Sequence, residues 1–423
     1  MGEHDGGTDP APAQVGKGRH RRRVPRRGVR MLVWALTAVL FVTAFGAGWL
    51  THTLRQGSEP LEVKVATLLR DNHMGWAVAQ LEDIYFRFID TAPVGGTPTI
   101  SADIAQEDAI GFEEIIESPS PEPVETTPTD DVLAEPVPEP TVPRLQPPDP
   151  IISPVLDPEP KEGEWQPVGT KVDGEKAIYV TRVRADDIHT SVYASLMWID
   201  PTRTKALFIP GFEEPAGGPN PFNGQLPDSL QVDVLASTNG GFRLGDSMGG
   251  YFYDGVMVKP LVKGKASAVF FDDGTMRIGK WGRDFQMSDD IVAVRQNLDL
   301  IVDKGVSKVS NADDNVVWGA TTDKESMTWR AAIGERADGS LVYVVGPYMS
   351  AKGLGDTLVR AGVERAMVVD MNKYWAAGFY YRHDKTGQPQ CRKLHPEIPD
   401  TCDRFLKPFK RDVFHFLADP QSA

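Results

Sequence analysis

Cysteine is nearly absent: two residues in 423, Cys391 and Cys402. Neither comes with further ligand pairs at zinc spacing, so the sequence offers no metal site. Long apolar runs are equally scarce. The run from Met31 to Leu50 is uncharged and long enough to cross a bilayer as a helix. Base is in short supply too: 45 Lys and Arg stand against 59 Asp and Glu, for a net charge of −14. This balance points away from a nucleic-acid partner.

What base there is gathers at the start. Arg19, Arg21, Arg22, Arg23, Arg26, Arg27 and Arg30 precede the apolar run, in a polar tail covering residues 1–30. Positive residues stay on the cytoplasmic side of a membrane helix, so residues 31–50 are expected to be a signal-anchor with the rest of the chain outside the cytoplasm. A cleaved signal peptide could be served by Gly46-Ala47-Gly48, but Trp49-Leu50 extend the apolar run past that point. The two cysteines then lie in an oxidising compartment, where a disulfide across their short loop is expected.

Residues 51–90 form a juxtamembrane segment that is helical in periodicity over 61–88, interrupted at Met74-Gly75-Trp76. Residues 91–163 hold sixteen prolines and sixteen acidic residues against two basic ones. Proline cannot donate to a ladder and like charges extend the chain, so this stretch is expected to be a disordered, semi-stiff linker spanning on the order of 200 Å.

The remaining residues, 164–423, have the composition of a globular domain with ample core. Strands are expected at 177–183, 191–199, 205–209, 231–236 and 249–254. Asp273-Gly274 and Asp338-Gly339 each sit between two strand-like runs and predict hairpins. A helix is expected over 348–361, stopped by Gly362, and a short strand over 365–370. Many strands with few helices give an α+β class with strand-rich mixed sheets.

Three places carry chemistry. Asn239-Gly240-Gly241-Phe242-Arg243 follows an expected buried strand, and its adjacent glycines suit either positive φ or close approach to a ligand. Arg330 stands in a strand among small residues, where an arginine either snorkels to the surface or holds an anion. Asp370 ends an apolar strand, where a carboxylate can be displayed or can close an Asx turn.

Taken in order, these pieces resemble the phosphodiester glycosidase family, in a membrane-anchored bacterial subgroup. The resemblance runs from about Gln231 to Trp375. It rests on Asn239-Gly240-Gly241-Phe242, Arg295-Gln296-Asn297-Leu298, Lys304-Gly305, Trp329 to Gly334, Asp338-Gly339 and Val369-Asp370. The family's strand-end aspartate is usually followed by glycines and a serine, whereas Met371-Asn372-Lys373 follow it here.

The resemblance implies a hydrolase acting on a sugar whose anomeric carbon is esterified to a phosphodiester, such as a cell-envelope glycopolymer. Asp370 would face the oxocarbenium-like anomeric carbon. Arg330 would grip the phosphate through two parallel donors. Asn239 with Gly240 and Gly241 would position sugar hydroxyls or phosphate oxygens. Arg243, Asp246 and Asn372 are further substrate-binding candidates. Asp370, Arg330 and Asn239 should then converge within about 10 Å. The resemblance leaves the cofactor open. The alternatives are a non-catalytic domain that binds envelope glycan phosphate on the same fold, and a structural stalk.

Overall fold

The structure, a computed structural model, describes residues 92–104, 145–309, 318, 327–399 and 401–419, with scattered positions between 64 and 78. The chain divides into two compact units, Met1–Val78 and Ala79–Ala423. In the first, residues 64–66, 68, 69, 77 and 78 are helical and Met74 is not. The expected basic tail and membrane anchor at 1–50 lie outside the described residues. Among the described residues no helix is long and apolar enough to cross a membrane.

The second unit is built almost wholly from strands. In chain order these are β1 (Gln166–Val172), β2 (Glu175–Arg184), β3 (Tyr193–Ile199), β4 (Thr204–Ile209), β5 (Val234–Asn239), β6 (Tyr251–Tyr253), β7 (Val256–Lys259), β8 (Ala266–Phe271) and β9 (Met276–Lys280). They continue as β10 (Ile291–Gln296), β11 (Leu300–Asp303), β12 (Val306–Ser307), β13 (Thr328–Arg336), β14 (Leu341–Met349), β15 (Val363–Asp370), β16 (Gly378–His383), β17 (Pro389–Lys393) and β18 (Val413–Ala418). A one-turn helix, α1 (Asp228–Gln231), precedes β5, and α2 (Ala351–Arg360) joins β14 to β15.

Three sheets result: β1-β2-β3-β14-β13-β15-β11-β12, β7-β6-β10-β8-β9 and β17-β16-β5-β18-β4. Every pairing between these strands is antiparallel, which corrects the expectation of mixed sheets. The physical reason is the connections. Short turns such as Asp254-Gly255, Asp273-Gly274, Lys304-Gly305 and Asp338-Gly339 can only return a strand beside itself, whereas parallel neighbours need long crossovers.

Alternation along the strands sorts side chains into two cores. Ala331, Ile333, Tyr343, Val345, Met367 and Val369 face a core shared by all three sheets. Ala332, Val342, Val344, Ala366 and Val368 face the other way, against Leu354 and Leu358 of α2. That helix starts later than its periodicity suggests, because Pro347, Tyr348 and Met349 extend β14. Ser350 caps it, its Oγ accepting from Gly353 N at 2.9 Å.

The ends of the proline-rich stretch lie on this unit. Ile104 N donates to Gln166 Oε1 at 2.8 Å, and Gln166 Nε2 donates back to Ala102 O at 2.7 Å. Ile151 is buried, and its amide donates to Gly163 O at 2.9 Å. Residues 105–144 lie outside the described residues. The disulfide is present: Cys391 of β17 joins Cys402, with Cα atoms 5.7 Å apart.

Candidate functional site

β5 runs three residues further than its apolar pattern suggests, through Ser237, Thr238 and Asn239, all buried. It is flanked by β16 and β18, whose hydrogen bonds carry it on. Asn239 is therefore a strand-end residue in the centre of a sheet. Its Oδ1 accepts from Tyr343 Oη at 2.6 Å and from Ala377 N at 3.3 Å. An amide N–H can only donate, so Ala377 fixes which end of the Asn239 amide is oxygen. The Nδ2 end is buried and has no hydrogen-bond partner among the described residues. Burial, with a smaller contribution from the Asp370 charge, holds the Tyr343 phenol well above its usual range, so it stays a neutral donor.

Asp370 ends β15, near enough to Tyr343 for its charge to act on the phenol. A bulge is responsible. Ala332 pairs with Val368, yet Ala331 pairs with Asp370, so one extra residue is accommodated and Asp370 turns to the three-sheet core face. It is only 2 % exposed. Its Oδ1 accepts from Met371 N at 2.8 Å and Asn372 N at 2.9 Å, an Asx turn, and its Oδ2 lies 3.4 Å from Arg411 Nη1. Asn372 repeats the device, accepting from Tyr374 N at 2.9 Å.

Arg411 was not singled out by the sequence. Its guanidinium lies 4.2 Å from the centroid of the Trp375 ring. Burial pulls its pKa below the arginine norm, while Asp370 and Asp412 pull it back up. Arg243 is close enough to oppose it electrostatically, and its own Nε lies 3.5 Å from Glu214 Oε1. Two guanidiniums and three carboxylates thus share one partly open corner. Both of these ion pairs are longer than a good charge-assisted hydrogen bond of about 2.8 Å.

The paired glycines serve the protein rather than an empty space. Neither has positive φ. A Cβ on Gly240 would fall 2.9 Å from Asp412 Cγ, and one on Gly241 would fall 2.5 Å from Asn297 Nδ2. The Gly240 amide already donates to Asp412 O at 2.9 Å. Asp246 is exposed further along the same loop.

Arg330 is not brought to this corner. Strand alternation puts it on the face of Ala332, toward α2, while Asp370 faces the other side. It is fully buried, donating to Met349 O at 2.9 Å and Trp318 O at 3.3 Å, and burial pushes its pKa down to about 10. The expected convergence is thereby corrected for Arg330, which faces away; Asn239 and Asp370 each act on Tyr343, the first through a hydrogen bond and the second through its charge. Strict alternation along 366–370 would have placed Asp370 on the face of Arg330, and the bulge reverses this.

No family model and no curated protein matches this chain. Solved structures do. The chain is similar to the zebrafish N-acetylglucosamine-1-phosphodiester alpha-N-acetylglucosaminidase catalytic domain auto-inhibited by its pro-peptide, at 15 % identity over 60 % of this chain and 88 % of that one, with a TM-score of 0.37. It is also similar to a hypothetical protein from Synechocystis, at 10 % identity over 60 % and 64 % of the two chains and a TM-score of 0.32. A third likeness, to a protein from Burkholderia pseudomallei, has 10 % identity, 53 % and 74 % coverage and a TM-score of 0.31.

The sequence signal for the missed residues was thin. Lys410-Arg411-Asp412 is a charged triplet immediately before an apolar strand, the one pattern that marks Arg411. Tyr343 is set in Val342-Tyr343-Val344 and reads only as core. No cluster of metal ligands is found among the described residues.

Proposed function

We propose that the domain hydrolyses the glycosidic bond of a sugar-1-phosphodiester, tethered to a membrane by residues 31–50 and facing away from the cytoplasm toward envelope glycopolymers. The observation that carries this reading is the strand-end carboxylate of Asp370 held beside Arg411. Asp370, ionised, stabilises or attacks the oxocarbenium-like anomeric carbon. Arg411 and Arg243, neighbours in this corner, supply the donors to the phosphate oxygens. Trp375, exposed in part beneath Arg411, offers a flat apolar face to a sugar ring.

Water adds its hydroxyl to the anomeric carbon as the carbon–oxygen bond to phosphate breaks. The departing group is a phosphate monoester with a second pKa of about 6, so it leaves at neutral pH without a dedicated proton donor. A panel of synthetic sugar-1-phosphodiesters, incubated with the purified protein, tests the reading. Reducing sugar and phosphomonoester should appear in equal amounts, and Asp370→Asn should abolish both while still binding substrate. No reducing sugar from any member would defeat it.

A second reading has its own observation. Both oxygens of Asp370 are occupied by protein donors, the Asx turn on one side and Arg411 on the other. A domain that only binds glycan phosphate would need no more than this. It predicts micromolar binding of a sugar-1-phosphate by wild type and Asp370→Asn alike, with no turnover by either.

A further inference from the structure

The run Arg295-Gln296-Asn297-Leu298 ends β10 and belongs to none of the roles assigned above, yet three of its side chains are fully buried polar groups. Each is turned toward the loop 240–250, which carries Arg243. Arg295 donates through Nε to Asp412 Oδ2 at 2.6 Å, through Nη1 to Gln296 O at 3.0 Å, and through Nη2 to Phe242 O. Asn297 accepts from Phe242 N at 3.2 Å and donates to Gly240 O at 3.3 Å. The far end of the loop is tied by the same run. Leu298 N donates to Ser247 O at 2.7 Å, and Gln296 Oε1 accepts from Gly250 N at 2.8 Å.

The fit is close enough to require glycine at both ends. Besides Gly241, a Cβ on Gly249 would fall 2.4 Å from Gln296 Cβ. Four consecutive residues thus hold an eleven-residue loop at both ends, while its middle is held by Glu214, which meets Arg243 and accepts from Leu244 N, and by Lys259 Nζ, which donates to Leu244 O at 2.9 Å. Arg295 adds a side-chain link from the loop to the segment that carries Arg411, because its Asp412 partner is the next residue, beside the backbone bond from Gly240 N to Asp412 O. A planar fork with one branch on each segment fixes their separation, which a single-point ammonium cannot do.

We infer that Arg295 is the positioning residue that sets the spacing of Arg243 and Arg411, and so the grip on the phosphate of a sugar-1-phosphodiester. This rests on the hydrolase reading given above for its consequence in turnover, though not for the positioning itself. The grip acts on bound substrate as well as on the transition state, so its loss should appear mainly in KM.

The test uses the full chain in detergent micelles. Arg295→Lys keeps the charge opposite Asp412 but loses the branch to Phe242. Arg295→Met with Asp412→Asn removes both charges together, an exchange that buried pairs tolerate. In both, amide hydrogen exchange of residues 240–250 should speed up at least about tenfold while the remaining strands stay protected, and KM should rise roughly 30- to 100-fold with kcat within about threefold, the scale of a small misplacement of a binding group. Exchange as slow as wild type, or fast exchange with unchanged KM, would overturn the inference. If the wild type turns over no substrate, the hydrolase reading fails and sugar-1-phosphate affinity replaces KM. Faster exchange with weakened binding in Arg295→Lys then still supports the positioning role, and equal affinity overturns it.

Discussion

Arg330 and Asp370 are neighbours across paired strands, Asp370 standing opposite Ala331, yet they face opposite sides of the eight-stranded sheet. The guanidinium beside Asp370 is instead that of Arg411, its Nη1 3.4 Å from Asp370 Oδ2, and the proposed function gives it the phosphate.

The two arginines are separable by mutation. Arg330→Met should leave kcat/KM within about threefold, since no charged contact of the site is lost. Arg411→Met should lower it about 100-fold, the loss of one charge-assisted grip of about 2.7 kcal/mol. Steady-state kinetics on the two variants decides this, and the reverse ranking would restore Arg330 to the site.

The fold was more legible than the site. Periodicity and Asp-Gly or Lys-Gly turns are local, so the hairpins β8–β9, β13–β14 and β11–β12 follow from adjacent residues. The extension of β5 to Asn239 depends on β16 and β18, which lie over a hundred residues away. The bulge that turns Asp370 depends on its register with β13, which no local pattern encodes. Arg411 and Tyr343 acquire meaning only through partners distant in sequence, and alone they read as surface charge and core.

Acid should weaken the domain above the range where carboxylates titrate. His395 and His415 are buried and neutral, and burial pushes each from the usual 6.5 down to about 3. His415 Nδ1 shares a hydrogen bond with Ser237 Oγ at 2.8 Å. The unfolded chain binds these protons first, so stability is complete above pH 6.5 and falls as pH drops through the window to 3. The slope is about 1.4 kcal/mol per pH unit for each histidine. Urea midpoints at pH 7.5, 6 and 5 should decline, and His415→Gln should roughly halve the decline. A flat profile would contradict burial of these rings.

The disulfide anchors the short turn Cys402–Leu406 to β17. Arg404 in that turn stacks on Phe379, Phe405 and Phe409 and donates to Tyr374 O at 3.0 Å, beside Trp375. Without reductant, the peptides carrying Cys391 and Cys402 should appear as one pair two hydrogens lighter. Reduction should cost about 3 kcal/mol, or roughly 8 °C in Tm. Two freely alkylated thiols in the unreduced protein would contradict it.

The proposed orientation follows from the arginines before Met31 and the uncharged run to Leu50. Protease added to intact cells should remove the C-terminal domain and spare an N-terminal tag. A protected C-terminal domain would reverse the assignment.

The central claim is that Asp370 acts at the sugar carbon rather than at phosphorus. Hydrolysis of a sugar-1-phosphodiester in water enriched in oxygen-18 reads this directly. The label should enter the released reducing sugar and not the phosphomonoester, and Asp370→Asn should release neither. Label in the phosphomonoester would contradict it.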